Sequence, residues 1–170
     1  KPNNEGGIQK EFHRMLDERL QIPEYKKYFN MLQFITFSNN MEYESDNDAA
    51  PAEEIRAGSF YSTPNGNRTF FSFFREENPK TTGFKEVSMD EVRYVLKDNG
   101  YSPSYADTEE FQTNLQPSQP CNRFVTSFFE ISRMMYLLQY GFFYVDTIDE
   151  KTGQPVTQKH IMRYPQFFAS

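Results

Sequence analysis

The sequence predicts a mixed α/β fold. Segments with apolar residues at three- and four-residue spacing, typical of amphipathic helices, are interspersed with short runs of Phe, Tyr, Ile and Thr that are typical of strands. Turn-forming pairs such as Asn65-Gly66 separate several of these runs. The chain contains 18 Phe and 11 Tyr, and large rings let a sequence that is only 37% hydrophobic fill a core. We therefore expect a packed domain with both helices and a sheet.

The first 78 residues predict two helices followed by a sheet. Helical periodicity runs from Ile8 to about Leu20, and a second short helix is predicted over 24–29, after Pro23. Three apolar runs follow, with the acidic loop 42–56 and the Asn-Gly turn between them. These predicted strands span 31–37, 58–63 and 68–75. The third run is apolar on both faces, so we expect it to be central or covered on both sides.

From about residue 79 the pattern becomes mainly helical. Ser88 and Glu91 form a capping-box pattern at the start of a helix that Asn99-Gly100 ends. The longest helical pattern has apolar residues around most of its surface, so we expect that helix to be deeply buried. The remaining predicted elements are a short helix over 108–114, the long helix over 121–140, a strand over 142–145 and a new helix from His160.

Composition and charge exclude several classes of protein. A net charge of −6 argues against a chain that binds nucleic acid over its whole surface, although a local basic strip stays possible. Cys121 is the only cysteine, which rules out an internal disulfide and a multi-cysteine zinc site and favours a reducing, cytoplasmic setting. Two histidines are too few for a histidine metal site, so no metal ligands are predicted. No run approaches the roughly 20 apolar residues of a spanning helix, so no membrane is expected among its partners.

A phosphate-binding loop is also missing from the sequence. None of the eight glycines is followed by lysine, so the Gly-Lys-Ser/Thr pattern that cradles a triphosphate does not occur. The chain begins at Lys1 without an initiator Met and stops soon after an apolar helix start. We therefore expect it to be an internal segment of a longer protein.

Six short segments, in order along nearly the whole chain, resemble the restriction (motor) subunit of type I restriction-modification enzymes. Each segment alone is a weak signal, and their order makes the set specific. The segments are Lys-Pro-Asn-Asn at 1–4, Phe-Ser-Asn-Asn-Met-Glu-Tyr at 37–43, Gly-Ser-Phe-Tyr at 58–61, Phe-Phe-Arg-Glu-Glu at 73–77, Pro-Cys-Asn-Arg-Phe-Val-Thr-Ser at 120–127, and 159–169 with Arg-Tyr-Pro-Gln.

The resemblance implies a place within a large enzyme. In that family a nuclease domain of the Asp…Glu-x-Lys type precedes two helicase motor domains. Residues 1–78 would be the C-terminal part of a restriction-endonuclease-like domain with a partial mixed sheet. Residues 79–170 would be a mainly helical connector leading into the first RecA-like motor.

The parent protein would be an ATP- and Mg²⁺-dependent endonuclease that translocates double-stranded DNA and cleaves unmodified foreign DNA. The family also implies a cytoplasmic complex with specificity and methyltransferase subunits. The catalytic acids and the phosphate loop would lie outside this chain. We therefore expect the isolated chain to hold no ATP or Mg²⁺ and to be inactive.

The resemblance also implies candidate catalytic and DNA-binding residues. Lys1 would be the basic neighbour of the catalytic lysine or, in a second register, that lysine itself. Gln9 and His13 fall where many members carry Gln-x-x-x-Tyr, so they would support cleavage or lie on an exposed helix face; His stands in the Tyr place. Basic side chains on the two N-terminal helices would meet DNA phosphates. These are Lys10, Arg14, Lys26 and Lys27.

Near the other end, the resemblance implies a nucleotide-binding pair. Gln166 lies where the family places a glutamine before the phosphate loop, and it would read adenine through two hydrogen bonds with assistance from Arg163. The alternative is that these residues cap the N-terminus of their own helix.

A different class of function also fits the composition. The aromatic residues would then form a binding surface of a non-catalytic interaction or scaffold domain. This alternative predicts an exposed apolar patch on a compact fold.

Overall fold

The mixed α/β class is confirmed in a computed structural model of the chain. Its described residues fold into six α-helices, short 3₁₀ and π-helical segments, and two antiparallel sheets. These described residues are 8, 10–11, 14–43, 49–50, 56–64, 71–76, 87–149 and 152–169.

Helical segments lead into the first sheet, as predicted. A π-helical turn at Arg14–Glu18 and a 3₁₀ turn at Arg19–Gln21 precede helix α1, Pro23–Met31, which has proline at its first position. Met31 therefore belongs to α1, and the strand predicted from that residue begins later, at Ile35. The physical reason is local: the backbone N–H of Leu32 still bonds to the Phe29 carbonyl at 3.1 Å, which closes the last helical turn.

The first sheet is antiparallel throughout its described strands, so the predicted mixed sheet is wrong. Its strands are β1 at Ile35–Ser38, β2 at Ala49–Ala50, β3 at Ser59–Ser62 and β4 at Phe71–Phe73, in the spatial order β1-β3-β4-β2. The link from β3 to β4 is too short for the crossover that parallel neighbours need, and the two strands pair antiparallel. β4 has a neighbour on each side, which confirms the central position predicted for this run.

Both faces of this sheet are covered. Phe60 and Tyr61 are consecutive in β3, point to opposite faces, and are both almost fully buried. The first-face cluster comprises Ile8, Leu20, Phe29, Phe60, Phe71 and Phe73. The second-face cluster comprises Tyr61, Phe124, Phe128, Leu137 and Tyr164, with Phe34, Phe74, Met134, Phe142, Ile161, Met162 and Phe167 packed against it. The second-face cluster therefore joins residues from both sides of the boundary predicted near residue 78.

The predicted capping box is present at helix α2, Met89–Asp98. The Ser88 hydroxyl accepts from the Glu91 backbone N–H, the Glu91 carboxylate accepts from the Ser88 N–H, and both distances are 3.2 Å. Gly100, with φ +79°, follows the end of α2. A 3₁₀ segment at Pro103–Asp107 and helix α3 at Glu109–Asn114 come next, and α3 confirms the short predicted helix.

The long helix predicted over 121–140 is two helices, α4 at Pro120–Phe128 and α5 at Ile131–Tyr140. The break occurs where the Glu130 carboxylate accepts from the Arg133 backbone N–H at 3.0 Å, as an N-cap of α5. The prediction of deep burial is also wrong, since Ile131 is 79% exposed and Met135 is 62% exposed. Each helix buries a single stripe instead.

The chain ends with a hairpin and a short helix. Strand β5, Phe142–Ile148, pairs with β6, Pro155–Ile161, over seven residues of each strand, and α6 spans Tyr164–Ala169. His160 lies in β6 opposite Phe143, so the helix predicted to start at His160 is wrong. The pairing with β5 satisfies backbone groups that a helix would have used, and the predicted mainly helical connector contains a two-stranded sheet. Within the described ranges, no helix has the length and apolar character needed to cross a bilayer.

Candidate functional site

Five of the six segments that carry the family resemblance meet at one place, between the first sheet and helices α4 to α6. We call this place the junction and define it by residues 39–43, 58–63, 74–76, 120–133 and 159–166. The sixth segment, residues 1–4, lies outside the described residues, as do the candidate catalytic residues Lys1, Gln9 and His13.

Asn40 connects the end of β1 to the start of α4. Its backbone has φ +59°, a left-handed conformation that asparagine tolerates better than most residues. Its side-chain oxygen accepts from the Cys121 backbone N–H at 2.9 Å. Its side-chain nitrogen donates to Asn114 at 3.0 Å and to Gln119 at 3.3 Å. The turn after β1 therefore caps α4 from 81 residues away in sequence.

Asn39 holds the start of β3 in the same turn. Its side-chain oxygen accepts from the backbone N–H groups of Met41, at 3.3 Å, and Gly58, at 3.0 Å. Gly58 has φ +115°, and a Cβ atom there would lie 2.9 Å from the Tyr43 Cβ. Glycine at this position lets the two backbones approach.

An enclosed ion pair lies at the centre of the junction. The Arg133 guanidinium binds the Glu76 carboxylate through two N–H groups, each 2.8 Å from its own oxygen. The Ser127 hydroxyl also donates to this carboxylate. The two charged side chains are 12% and 10% exposed, so water screens this pair little. Arg133 was the one charged side chain in the predicted long helix after Glu130, and Glu76 follows an apolar run, yet sequence reasoning assigned neither a role.

These contacts set the ionisation of the cluster. Burial raises the pKa of Glu76, but hydrogen bonds from Arg133 and Ser127 and the charge of Arg133 outweigh it, so the pKa lies below its usual value. The bond to Glu76 raises the pKa of Arg133. Burial, together with the negative charge of Glu76, raises the pKa of Tyr164. At neutral pH Glu76 is therefore a carboxylate, Arg133 a guanidinium cation and Tyr164 a neutral phenol.

The sheet also holds the segment that leads into α6. The Tyr61 hydroxyl donates to the Met162 carbonyl at 3.0 Å, and the Thr63 hydroxyl donates to the Lys159 carbonyl at 2.7 Å. The rings of Phe74 and Tyr164 meet at a centroid distance of 5.0 Å. Three successive points of this segment are thereby attached to β3, to the residue after β3 and to the residue after β4.

The candidate nucleotide-binding pair lies at the start of α6, and both side chains are exposed. The Gln166 side-chain oxygen accepts from the Arg163 backbone N–H at 2.9 Å. This is the capping arrangement that the sequence left open as an alternative, and it engages the oxygen of the carboxamide. The Gln166 amide nitrogen and the Arg163 guanidinium remain at the surface as hydrogen-bond donors.

A cleft of about 360 Å³ opens beside the junction, between the turn after β1 and the start of α4. Glu42 and Arg123 form an ion pair at its wall, and Arg75 and Glu76 also line it. The charges of these four side chains compensate one another. The cleft therefore marks where the segments meet and selects no class of ligand by charge.

The candidate DNA-binding residues lie elsewhere. Lys10, Arg14, Lys26 and Lys27 belong to the N-terminal helical segments, whose apolar residues cover the opposite face of the sheet. Arg14 lies 3.4 Å from the Glu11 carboxylate, and the three lysines are exposed. The structure brings none of them to the junction.

Two further observations concern cofactors and relatives. Within the described part of the chain, no group of three or more His, Cys, Asp or Glu side chains is placed to hold a metal ion. Comparisons with protein-family models, with curated proteins and with solved structures returned no match for this chain.

Proposed function

We propose that this chain is part of the restriction subunit of a type I restriction-modification enzyme and lies between its nuclease centre and its ATP-driven motor. The observation that supports this proposal most is the convergence at the junction. The segments that resemble the family, at positions from 37 to 169, contact one another through hydrogen bonds, ion pairs and ring contacts. Unrelated chance matches spread over such a distance have no physical reason to meet.

In this proposal the chain has a connecting role. The first sheet belongs to the nuclease, and α6 presents Gln166 and Arg163 to the adenine of ATP. The Gln166 amide nitrogen donates to the base edge, and the carboxamide oxygen, which also caps α6, accepts from the base through its second lone pair. The junction fixes that helix relative to the sheet. ATP hydrolysis would supply the energy of DNA translocation in the whole enzyme. The family resemblance places the carboxylates that hold Mg²⁺ and the loop that holds the triphosphate in other parts of the enzyme.

The flanking gene sequence is the first test. We expect an Asp…Glu-x-Lys pattern upstream, and a Gly-x-x-x-x-Gly-Lys-Ser/Thr loop within about 30 residues downstream. The second test is biochemical: full-length protein, combined with its specificity and methyltransferase subunits, is incubated with unmodified double-stranded DNA. Cleavage that requires ATP and Mg²⁺, and that stops when the DNA is methylated, supports the proposal. A gene without either flanking pattern overturns it.

The isolated chain is expected to hydrolyse no ATP and to cleave no DNA. ATP hydrolysis is measured by a phosphate-release assay and DNA cleavage by a plasmid-nicking assay, both on the purified 170-residue chain. Activity that persists through further purification, and that co-elutes with the chain, contradicts the proposed division of labour.

One observation favours the interaction-domain alternative. Ile131, Met135 and Leu138 lie at positions i, i+4 and i+7 of α5 and form an exposed apolar stripe. In a scaffold protein this stripe would bind a partner, whereas in the restriction subunit a neighbouring domain would cover it. The flanking sequence discriminates between the two, because a scaffold needs neither a nuclease motif nor a phosphate loop.

A further inference from the structure

Helix α2, Met89–Asp98, leaves one of its sides open to solvent. None of its residues is buried. On the other side it packs against the 3₁₀ segment and α3, where the Arg93 guanidinium binds the Asp107 carboxylate at 2.8 Å and the Gln112 amide donates to the Met89 sulfur at 4.0 Å. One side of α2 is therefore attached to the chain, and the opposite side is free to meet another molecule.

The open side carries apolar residues. Val87, Tyr94 and Val95 are 58%, 71% and 56% exposed, so most of their surface meets water. Together with Asp90 and Glu91 they line a shallow groove of about 600 Å³, which we call the α2 groove. Residues three and four positions apart lie on the same side of a helix, and an apolar face of this kind is what an amphipathic partner helix packs against.

The α2 groove is also acidic. Its charged lining residues are Asp90 and Glu91, and no described cation lines it. Arg93 lies 3.7 Å from the Asp90 carboxylate, but the Asp90 side chain is 99% exposed, so water screens this pair strongly. The Glu91 carboxylate accepts from the Ser88 backbone N–H and keeps its charge. The surrounding segment, 87–116, contains six acidic and two basic side chains, a net charge of −4.

We propose that the α2 groove is a docking surface for a basic amphipathic helix of a partner protein. The apolar side of that helix covers Tyr94 and Val95, and its lysine or arginine side chains pair with the carboxylates at the groove. The sign of the charge selects this occupant: nucleic acid and anionic membranes carry the same sign as the groove, and a second copy of the same face would bring carboxylates against carboxylates. This surface is separate from the junction and does not depend on the proposed function.

The test uses a defined probe, a fluorescein-labelled synthetic peptide of about 15 residues, a length at which a peptide can become helical. Leucines recur in it at three- and four-residue spacing along one side, and lysines fill the rest. One control peptide has the same residues in an order that spreads the leucines around the helix, and another has glutamate in place of lysine. Fluorescence anisotropy with the 170-residue chain measures the affinities. We expect the amphipathic basic peptide to bind about tenfold more tightly than either control, and to weaken as salt screens the charges.

Two variants locate the binding at the groove. Tyr94→Ser should weaken binding about tenfold, because it removes the aromatic side chain that the partner would bury. Asp90→Asn removes one exposed charge and should weaken binding about threefold. The matched controls are Tyr28→Ser and Glu24→Gln, an exposed aromatic and an exposed acid on α1, and both should leave the affinity unchanged. All four side chains are exposed, so far-ultraviolet circular dichroism should show the same fold in every variant.

Several results would overturn the inference. Equal binding of the peptide with scattered leucines would reduce the effect to general attraction between a cationic peptide and an acidic chain. Tighter binding of the glutamate peptide would assign the opposite charge to the partner. An affinity that neither Tyr94→Ser nor Asp90→Asn changes, or no binding of any peptide, would remove the groove as the site. Self-association in analytical ultracentrifugation that Tyr94→Ser abolishes would make a second copy of the chain the occupant instead.

Discussion

At the scale of single residues, the ion pair of Glu76 and Arg133 is shielded from water and is held by two hydrogen bonds. Removing one partner of a buried ion pair leaves the other charge without compensation, at a cost of about 3 kcal/mol. We expect Arg133→Met to lower the free energy of unfolding by about this amount, measured by urea denaturation. The control is Arg93→Met, because Arg93 is 40% exposed and its partner Asp107 is 58% exposed. That exposed pair should contribute less than about 1 kcal/mol, and equal losses in the two variants would contradict the assignment.

The same pair makes stability depend on pH. The pKa of Glu76 is lower in the folded state than its ordinary value of 4.5, so the unfolded chain takes up the proton first as the pH falls. The stabilisation is therefore complete above pH 4.5 and is lost as the pH falls through the folded-state pKa. We expect the stability difference between the unaltered chain and Glu76→Gln to shrink between pH 5 and pH 3. Urea titrations across that range measure it, and a difference that grows on acidification would refute the sign.

Residue roles at the junction were only partly accessible from sequence. The Arg163 and Gln166 pair was singled out through the family resemblance; the structure shows a capping bond from the Arg163 backbone N–H to the Gln166 side-chain oxygen, and the nucleotide-binding role stays a prediction. Glu76 and Arg133 were missed because 57 residues separate them, and the sequence around each residue does not indicate which residue it pairs with. Tyr164 stood within a recognised segment, but it is buried in a cluster with Tyr61 and against Phe74, which come from the other part of the chain.

At the scale of elements, the turn into β3 requires glycine at residue 58. We expect Gly58→Ala to destabilise the chain by about 2 kcal/mol, since the backbone conformation is strained for alanine and the new methyl group meets Tyr43. Gly100→Ala is the matched control, because Gly100 also has positive φ but open space around its Cβ position. Its cost should be about 1 kcal/mol, from backbone strain alone. Chemical denaturation of both variants compares them, and equal costs would argue against the close approach of the two backbones.

Elements with local signals were predictable, and those decided by distant contacts were not. The capping box at Ser88 and the helix ends at Gly100 and Gly141 follow from the sequence within one turn of each site. The break at Glu130 could not be predicted in this way. Apolar residues continue on both sides of it, and no local signal shows that the Glu130 carboxylate caps the next helix. β6 was missed because its seven residues become a strand through pairing with β5.

At the scale of the whole molecule, the second-face cluster packs side chains from the two predicted parts against one another. Tyr61 and Phe74 come from the first part, and Phe124, Phe128 and Leu137 come from the second. We therefore expect residues 1–78 and 79–170, produced separately, to lack cooperative thermal unfolding, because each would expose half of this cluster. Near-ultraviolet circular dichroism of the tyrosines measures the transition, and co-expression of both pieces is the positive control. A cooperative transition of 79–170 alone would show that it is an independent domain.

The opposite directions of Phe60 and Tyr61 have a consequence for the order of folding. A slip of β3 by one residue would exchange the two side chains, place a hydroxyl among the rings of the first-face cluster and remove the donor for the Met162 carbonyl. That hydrogen bond spans 101 residues, and contacts of such sequence separation carry a large loop-closure cost, so we expect α6 to dock after β3 has paired in its correct register. In a refolding experiment with pulsed hydrogen exchange, we expect β3 to become protected before residues 164–169, and the reverse order would contradict this sequence of events. The helix that carries Arg163 and Gln166 would then pack last, after the register of the sheet has been fixed by strand pairing.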